Sequence, residues 1–284
     1  MKHLSILFIL LLCGCSINIT SQSFIHQDEQ VEPSLNLEKI EAKLTNAPMA
    51  SGLAKLSKTS ITTPSGLTLN GINLSNNQAK VNVLLFGGNG MKISDASGIL
   101  NYFSLLPANV IWFDYRGTGV SEKQATLSVT HLKQDALLSY DYAQESFDNQ
   151  LPTIVHGISM GSVIATYVAT QRPVAALVLD GAINSVPSLV DNLVPTWAKL
   201  FSSVTVSDEL REINNVELIK QYSSPLLFLS GDADTTTPVA FAQELYDASP
   251  SETKNFAVIH DTGHAQTMKN KQAIAVYQRF IATL

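Results

Sequence analysis

Ile154-Val155-His156-Gly157-Ile158-Ser159-Met160-Gly161-Ser162-Val163 sets an apolar run of strand type against Gly-x-Ser-x-Gly and then a stretch of helical period. A serine at such a strand-to-helix turn projects its hydroxyl into a cleft. Glycines two residues to either side keep Cβ atoms out of the crowded corner. The chemistry this suits is attack on a carbonyl, because the free N–H groups and positive dipole end of the following helix favour the oxyanion that results. A serine hydroxyl is a poor nucleophile unless activated, so the reading requires a histidine base and a carboxylate later in the chain, at strand ends. Leu226 to Ser230 leads into Gly231-Asp232-Ala233-Asp234-Thr235-Thr236-Thr237-Pro238, and Phe256 to His260 leads into Asp261-Thr262-Gly263-His264. Serine, carboxylate and histidine follow one another in that order.

The elements that must position these groups are legible as apolar runs of strand length alternating with helical segments from residue 60 onward. That pattern is expected when crossover helices cover both faces of a mainly parallel sheet. The strands are read at Leu67 to Leu74, Val81 to Phe86, Val110 to Tyr115, Thr153 to His156, Ala175 to Asp180, Leu226 to Ser230 and Phe256 to His260. The first two are joined by polar residues including Asn76-Asn77, which suggests an antiparallel entry pair. Val129, Leu132, Ala136, Tyr140, Ala143 and Phe147 recur at spacings of three and four, giving one helix a face to pack on the sheet. Gly161 to Thr170, Phe241 to Ala248 and Gln272 to Leu284 have the same character, and the last should close the sheet. The predicted fold class is α/β, a mainly parallel central sheet flanked by helices with a small helical insert.

These motifs together resemble the alpha/beta hydrolases over about residues 60 to 284. Gly231-Asp232-Ala233-Asp234 with Pro238 is similar to that family's acid loop, which implies Asp234 rather than Asp232 as the carboxylate. Gly263-His264 is similar to its final loop and implies His264 as the base of Ser159. Asp114-Tyr115-Arg116-Gly117-Thr118-Gly119-Val120-Ser121 resembles a turn of the same superfamily. Gly87-Gly88-Asn89-Gly90 stands where the family has a His-Gly-x loop, so the resemblance implies an oxyanion hole formed by the backbone N–H groups of Asn89 and Met160. Gly87 in place of the histidine removes a side chain that braces this loop.

Other polar residues read as structural. Asp114 and Arg116 suit a buried polar turn, His156 a packed strand, and Asp232 and Asp261 loop carboxylates that bond local backbone. Ser121 and Ser162 lack a motif of their own. No histidine or carboxylate pair has metal-ligand spacing, and the glycine-rich loop lacks the Lys-Ser/Thr of a phosphate loop, so no metal or cofactor is expected. With 24 acidic against 18 basic side chains the chain would repel phosphate backbones, which argues against nucleic acid as a partner.

The N-terminus has a different character. Lys2 and His3 precede an apolar run from Leu4 to Leu12, too short to span a bilayer comfortably, which reads as a signal peptide. Leu12-Cys13-Gly14-Cys15 resembles the bacterial lipobox, with Cys13 where a smaller residue is usual, and implies lipid on Cys15 after cleavage. The expected organisation is a signal peptide over 1–14, a lipid-anchored tether and lead-in over 15–58, and a hydrolase domain over 59–284. Residues 16–58 show no clean period, although a short helix fits Leu35 to Leu44. Export and attachment to a bacterial membrane follow, with Ser16 after the cysteine pointing to the outer membrane.

Within the domain, residues 181–225 are long enough for a small cap, to which Leu189, Leu193, Val194, Trp197, Leu200 and Phe201 would give an apolar face. The partner implied is a small-molecule or acyl-bearing substrate. The activity implied is cleavage of a carboxylic ester or related acyl bond through an acyl-enzyme. An aminopeptidase or amidase on the same site, and a membrane-anchored binding module without catalysis, are the alternatives.

Overall fold

A computed structural model describes residues 15–147, 150–199 and 202–284. The signal-peptide expectation for residues 1–14 and the cap residues Leu200 and Phe201 fall outside them. Among the described residues there are ten strands: β1 (Cys15–Ile19), β2 (Ala54–Thr62), β3 (Thr68–Asn76), β4 (Val81–Phe86), β5 (Ala108–Phe113), β6 (Thr153–Ile158), β7 (Ala176–Asp180), β8 (Ser202–Val206), β9 (Leu226–Gly231) and β10 (Lys254–Ile259). Eight of them form one sheet in the order β10-β9-β7-β6-β4-β5-β3-β2, with β1 and β8 forming a separate parallel pair. Pairing is parallel from β10 through to β5, and antiparallel for β3 with β5 and β2 with β3.

The mainly parallel sheet flanked by helices is as expected. Its central strands β4, β6, β7 and β9 are buried along their whole length, which is why they read as continuous apolar runs. Helices α1 (Val129–Ser146), α2 (Met160–Gln171) and α5 (Val239–Ala248) cover one face, and α6 (Lys271–Ile281) covers the other. All six residues of the α1 stripe are buried. In the cap, α3 (Val186–Leu193) is followed by α4 (Thr196–Lys199) and β8.

Two expectations need correction. β3 does not form an antiparallel pair with β4. It lies between β2 and β5, and β4 takes a central place between β5 and β6. The apolar run of β4 needs cover on both faces, whereas β2, with Lys55 and Lys58 among partly exposed residues, suits an edge. Gly71 permits the β3–β5 contact, because a Cβ there would collide with the Trp112 carbonyl.

Of residues 15–58, expected as a lipid-anchored tether and lead-in, the stretch from residue 17 onward packs on the body. Ile25, Leu35, Ile40 and Leu44 are buried in the two core layers, each contributing roughly 2 kcal/mol of apolar burial. Their unequal separations in sequence make no repeating period. The expected short helix is present as a turn and a half, Leu37–Glu41, capped by the Asn36 side chain on the Lys39 N–H.

The segment is also held by the Asp114–Ser121 turn. Asp28 donates its N–H to the Gly117 carbonyl at 2.8 Å and accepts from the Gly119 N–H at 2.7 Å. Beneath it, Asp114 accepts from the N–H groups of Ile93 (2.8 Å) and Val120 (3.1 Å), and buried Arg116 forms a two-pronged pair with Asp135 at 2.6 and 2.5 Å. Gly119, at φ +56°, leaves room for the Asp114 carboxylate.

Burial pushes the Asp114 carboxyl up to about 7, with Glu32 and Asp28 acting in the same direction, despite its two backbone N–H bonds. Its value in the unfolded chain is about 3.9. A raised folded-state value adds stability that is complete below about pH 4 and lost as the pH rises through about 7. Asp114→Asn does not titrate. The stability advantage of the wild type over this variant should therefore shrink, by on the order of 3 kcal/mol, between pH 4.5 and pH 8 in urea unfolding.

Candidate active site

Ser159 occupies a backbone conformation that side-chain-bearing residues rarely adopt, φ 52° and ψ −117°, between β6 and α2. Three neighbours enforce it. The Ser159 N–H donates to the Asp180 carbonyl at the end of β7 at 2.9 Å. A Cβ on Gly157 would run into the Gly161 carbonyl, and one on Gly161 into the Phe86 carbonyl of β4. The two motif glycines thus let the first turn of α2 lie directly on two strands.

The hydroxyl of Ser159 stands 3.0 Å from His264 Nε2, and His264 Nδ1 stands 2.8 Å from Asp234 Oδ2. With Nδ1–H donated to the carboxylate, Nε2 is left to accept the serine proton. Asp234 is nearly buried. Its Oδ1 accepts from the N–H groups of Thr236 and Thr237, both at 2.9 Å, and its Oδ2 also accepts from the Thr237 hydroxyl at 2.7 Å. Burial opposes its charge, but the hydrogen bonds from His264 and Thr237 outweigh it and hold the carboxyl below the usual range. It is therefore a carboxylate at neutral pH.

The structure separates the two aspartates of the acid loop. Asp232 pairs instead with His260, at 2.9 Å on the surface. His156 is fully buried against Phe103 and Tyr277, with Nε2 3.8 Å from Asp180, on the sheet face of α6. The Ser162 hydroxyl accepts from the Ile183 N–H at 3.0 Å, and Ser121 bonds the Asp114 carbonyl at 2.7 Å. None of these side chains hydrogen-bonds the side chain of Ser159, His264 or Asp234, and Ser162 meets Ser159 only through its N–H on the Ser159 carbonyl, at 2.8 Å.

Met160 opens α2, where the first N–H groups of a helix have no intrahelical acceptor. Asn89 lines the same cleft as Ser159, Met160 and His264. The adjacent Gly88 faces the serine, since a Cβ there would sit 3.5 Å from the Ser159 Cβ. The brace that Gly87 lacks comes from elsewhere. The Tyr115 hydroxyl donates to the Gly87 carbonyl at 2.7 Å, while the Asn89 side chain accepts from the His26 N–H at 2.8 Å and donates to the Phe24 carbonyl at 2.7 Å.

Sequence reasoning missed two contributors. Thr237 bonds both Asp234 and, at 3.2 Å, His264 Nδ1; its place just before Pro238 in the acid loop was the one available signal. Ile17, Asn18, Ile19 and Phe24 form a wall of the cleft, and no local pattern announced them. Cys15 heads β1, the strand that carries this wall. From the cap, Ile183, Leu189 and Leu193 complete the lining, while Trp197 of the expected apolar face is exposed.

A parallel sheet whose central strand delivers a strained serine, with histidine and carboxylate supplied by the loops after the last two strands, is the architecture of the alpha/beta hydrolases. Residues 77–220 match the family described as serine aminopeptidase, S33, and the chain belongs to that family of hydrolases. An esterase of Pyrococcus furiosus shares its fold, with a TM-score of 0.69 at 16% identity over 92% of this chain and 97% of that one. Among relatives by sequence, an uncharacterized protein of Mycobacterium tuberculosis is 28% identical over 183 residues, 64% of this chain and 62% of its own length. The lysophosphatidylserine lipase ABHD12 of Danio rerio is 27% identical over 166 residues, 54% of this chain and 42% of the relative. The chain thus spans about three fifths or less of these two curated relatives.

The steric argument for the elbow can be measured directly. Gly161→Ala should cost about 3 kcal/mol or more, because backbone must move to admit the methyl group, whereas Gly88→Ala meets only ordinary contacts and should stay within about 1 kcal/mol of wild type. Urea midpoints of the two variants give the comparison.

Proposed function

We propose that this protein is a serine hydrolase of carboxylic esters, acting through an acyl-enzyme on Ser159. The observation that carries the reading is the hydrogen-bonded line from Ser159 through His264 to a carboxylate held ionised by its neighbours. Ser159 Oγ attacks the ester carbonyl as its proton passes to His264 Nε2, and the N–H groups of Met160 and Asn89 receive the oxyanion. The acyl–oxygen bond then breaks, the leaving alcohol takes the proton from His264, and the acyl group remains on Ser159. Water, deprotonated by His264, attacks the acyl-serine, and the acid departs as the proton returns to Ser159. Asp234 fixes the imidazole tautomer and offsets its transient positive charge, and Thr237 holds Asp234.

The family description raises an aminopeptidase as the rival. Binding a peptide's ammonium group calls for a carboxylate at the cleft, and among the described residues that line it there is no aspartate or glutamate. That composition, together with relatives named esterase and lipase, favours an ester. A binding module without catalysis would have no need of the serine–histidine–aspartate line.

In the same reading Cys15 carries a lipid, and the protein is exported and attached to a bacterial membrane, the outer one being favoured by Ser16. The support is the sequence Leu12-Cys13-Gly14-Cys15 after a short apolar run.

A fluorophosphonate probe should label the purified protein at Ser159 and leave Ser159→Ala unlabelled. Asp234→Asn should lower kcat on p-nitrophenyl esters by about 1,000-fold or more, through loss of the required tautomer. Folded wild-type protein that takes up no probe would rule the reading out in favour of a binding module. Separately, Cys15→Ala should move the protein from the membrane to the soluble fraction on cell fractionation. Wild type already soluble would remove the lipid anchor from the proposal.

A further inference from the structure

The cleft before Ser159 shares a wall with a second space. Behind Phe24, Met160 and Ile183, which line both spaces, lies a second cavity of about 250 Å3 between α1, α2 and the cap. Its inner surface is apolar, formed by Leu132, Val163, Ile164, Tyr167, Val186 and Ile213. The charged residues at its margin, Lys133, Glu212 and Glu217, are exposed and so stand at its outer end. An apolar pocket of this size favours an apolar occupant, because burying such a group there removes apolar surface from water.

The geometry of acyl transfer says which part of a substrate would reach it. The carbonyl oxygen is held at Met160 and Asn89, and the leaving oxygen must lie within reach of His264 Nε2 to receive its proton. The alcohol portion therefore occupies the side of the cleft lined by His264, Thr236 and Ala265. The acyl portion points away from His264. The second cavity shares Met160 with the cleft and is not lined by His264 or by any residue of the acid loop.

We propose that this cavity holds the acyl chain, so that the substrates are esters of unbranched fatty acids and Phe24 forms the threshold the chain crosses. The inference rests on the acyl-enzyme reading and extends it to a substrate class. It also gives the segment before β2 a part in specificity, because Phe24 comes from that segment and is fixed through its carbonyl by the Asn89 side chain.

The test uses the full chain and p-nitrophenyl acetate, butyrate, octanoate and dodecanoate, each below its micelle concentration. Wild type should prefer octanoate to acetate by about tenfold or more in kcat/KM. Val163→Trp and Ile213→Trp fill the cavity from opposite walls, and each should lower the octanoate-to-acetate ratio by about tenfold. Phe24→Ala should move the optimum toward dodecanoate. Labelling of each variant at Ser159 by fluorophosphonate reports that it is folded and that its serine is activated. A wild type that prefers acetate would overturn the proposal. So would labelled tryptophan variants, at both positions, that keep the wild-type chain-length profile. Failure of the wild type to take up the probe or turn over any ester would strike the acyl-enzyme reading first, and the two failures are thereby distinguished.

Discussion

The structure depends on the close approach of one helix end to three strand ends. Ser159 can hold its strained backbone only because Gly157 and Gly161 let the start of α2 rest on β4 and β6, with the serine N–H tied to β7. Residues in such sparsely populated conformations cost on the order of 1–3 kcal/mol and persist where their surroundings over-determine them. Here the surroundings are the strands buried along their length. β4 and β7 flank β6 in parallel register, so their C-terminal ends, where the chain leaves for loops, gather at the same edge as the serine. The loops after β9 and β10 bring Asp234 and His264 to that edge in turn.

Fixing the serine does not by itself fix its partners, and the acid loop shows how a second layer of constraint does so. Two carboxylates stand two residues apart, and each finds a different histidine. Asp232 turns outward to exposed His260, while Asp234 turns inward to His264 and receives two backbone N–H groups and the Thr237 hydroxyl. A buried carboxylate with that many donors keeps its charge despite desolvation. The loop at Gly87–Gly90 follows the same logic. Its chain lacks a bracing side chain of its own at Gly87, and it borrows a tyrosine from the neighbouring turn and backbone groups from residues 24–26.

The parts of this architecture that were legible in sequence are those in which a local pattern carries the physics. The buried strands read as apolar runs, α1 showed a stripe whose six residues are all buried, and Gly-x-Ser-x-Gly announced the elbow. Ser159, Asp234 and His264 were readable because motif, order and strand-end position agreed, and the structure brings the three into hydrogen-bond contact. What was illegible was pairing between distant segments. β2 carries lysines and hydroxyls because it is an edge, so it looked like linker. β1 and β8 are five residues each and gain their identity only from one another. Ile25, Leu35, Ile40 and Leu44 serve as isolated anchors of a polar segment, and isolated anchors have no period.

The pairing of β1 with β8 also sets an order of events during synthesis. Cys15 lies beside Ser202 and Ile19 beside Val206, so the first described strand waits for a partner encoded 187 residues later. Closing so long a loop carries an entropic cost that nearer contacts do not, and a chain made from its N-terminus meets those nearer contacts first. The sheet from β2 to β7 can therefore assemble while β1 is still single. The wall that Ile17, Asn18 and Ile19 give the cleft is among the last parts to form, so an unfinished chain can hold the Ser159 turn while one side of the cleft before it still stands open.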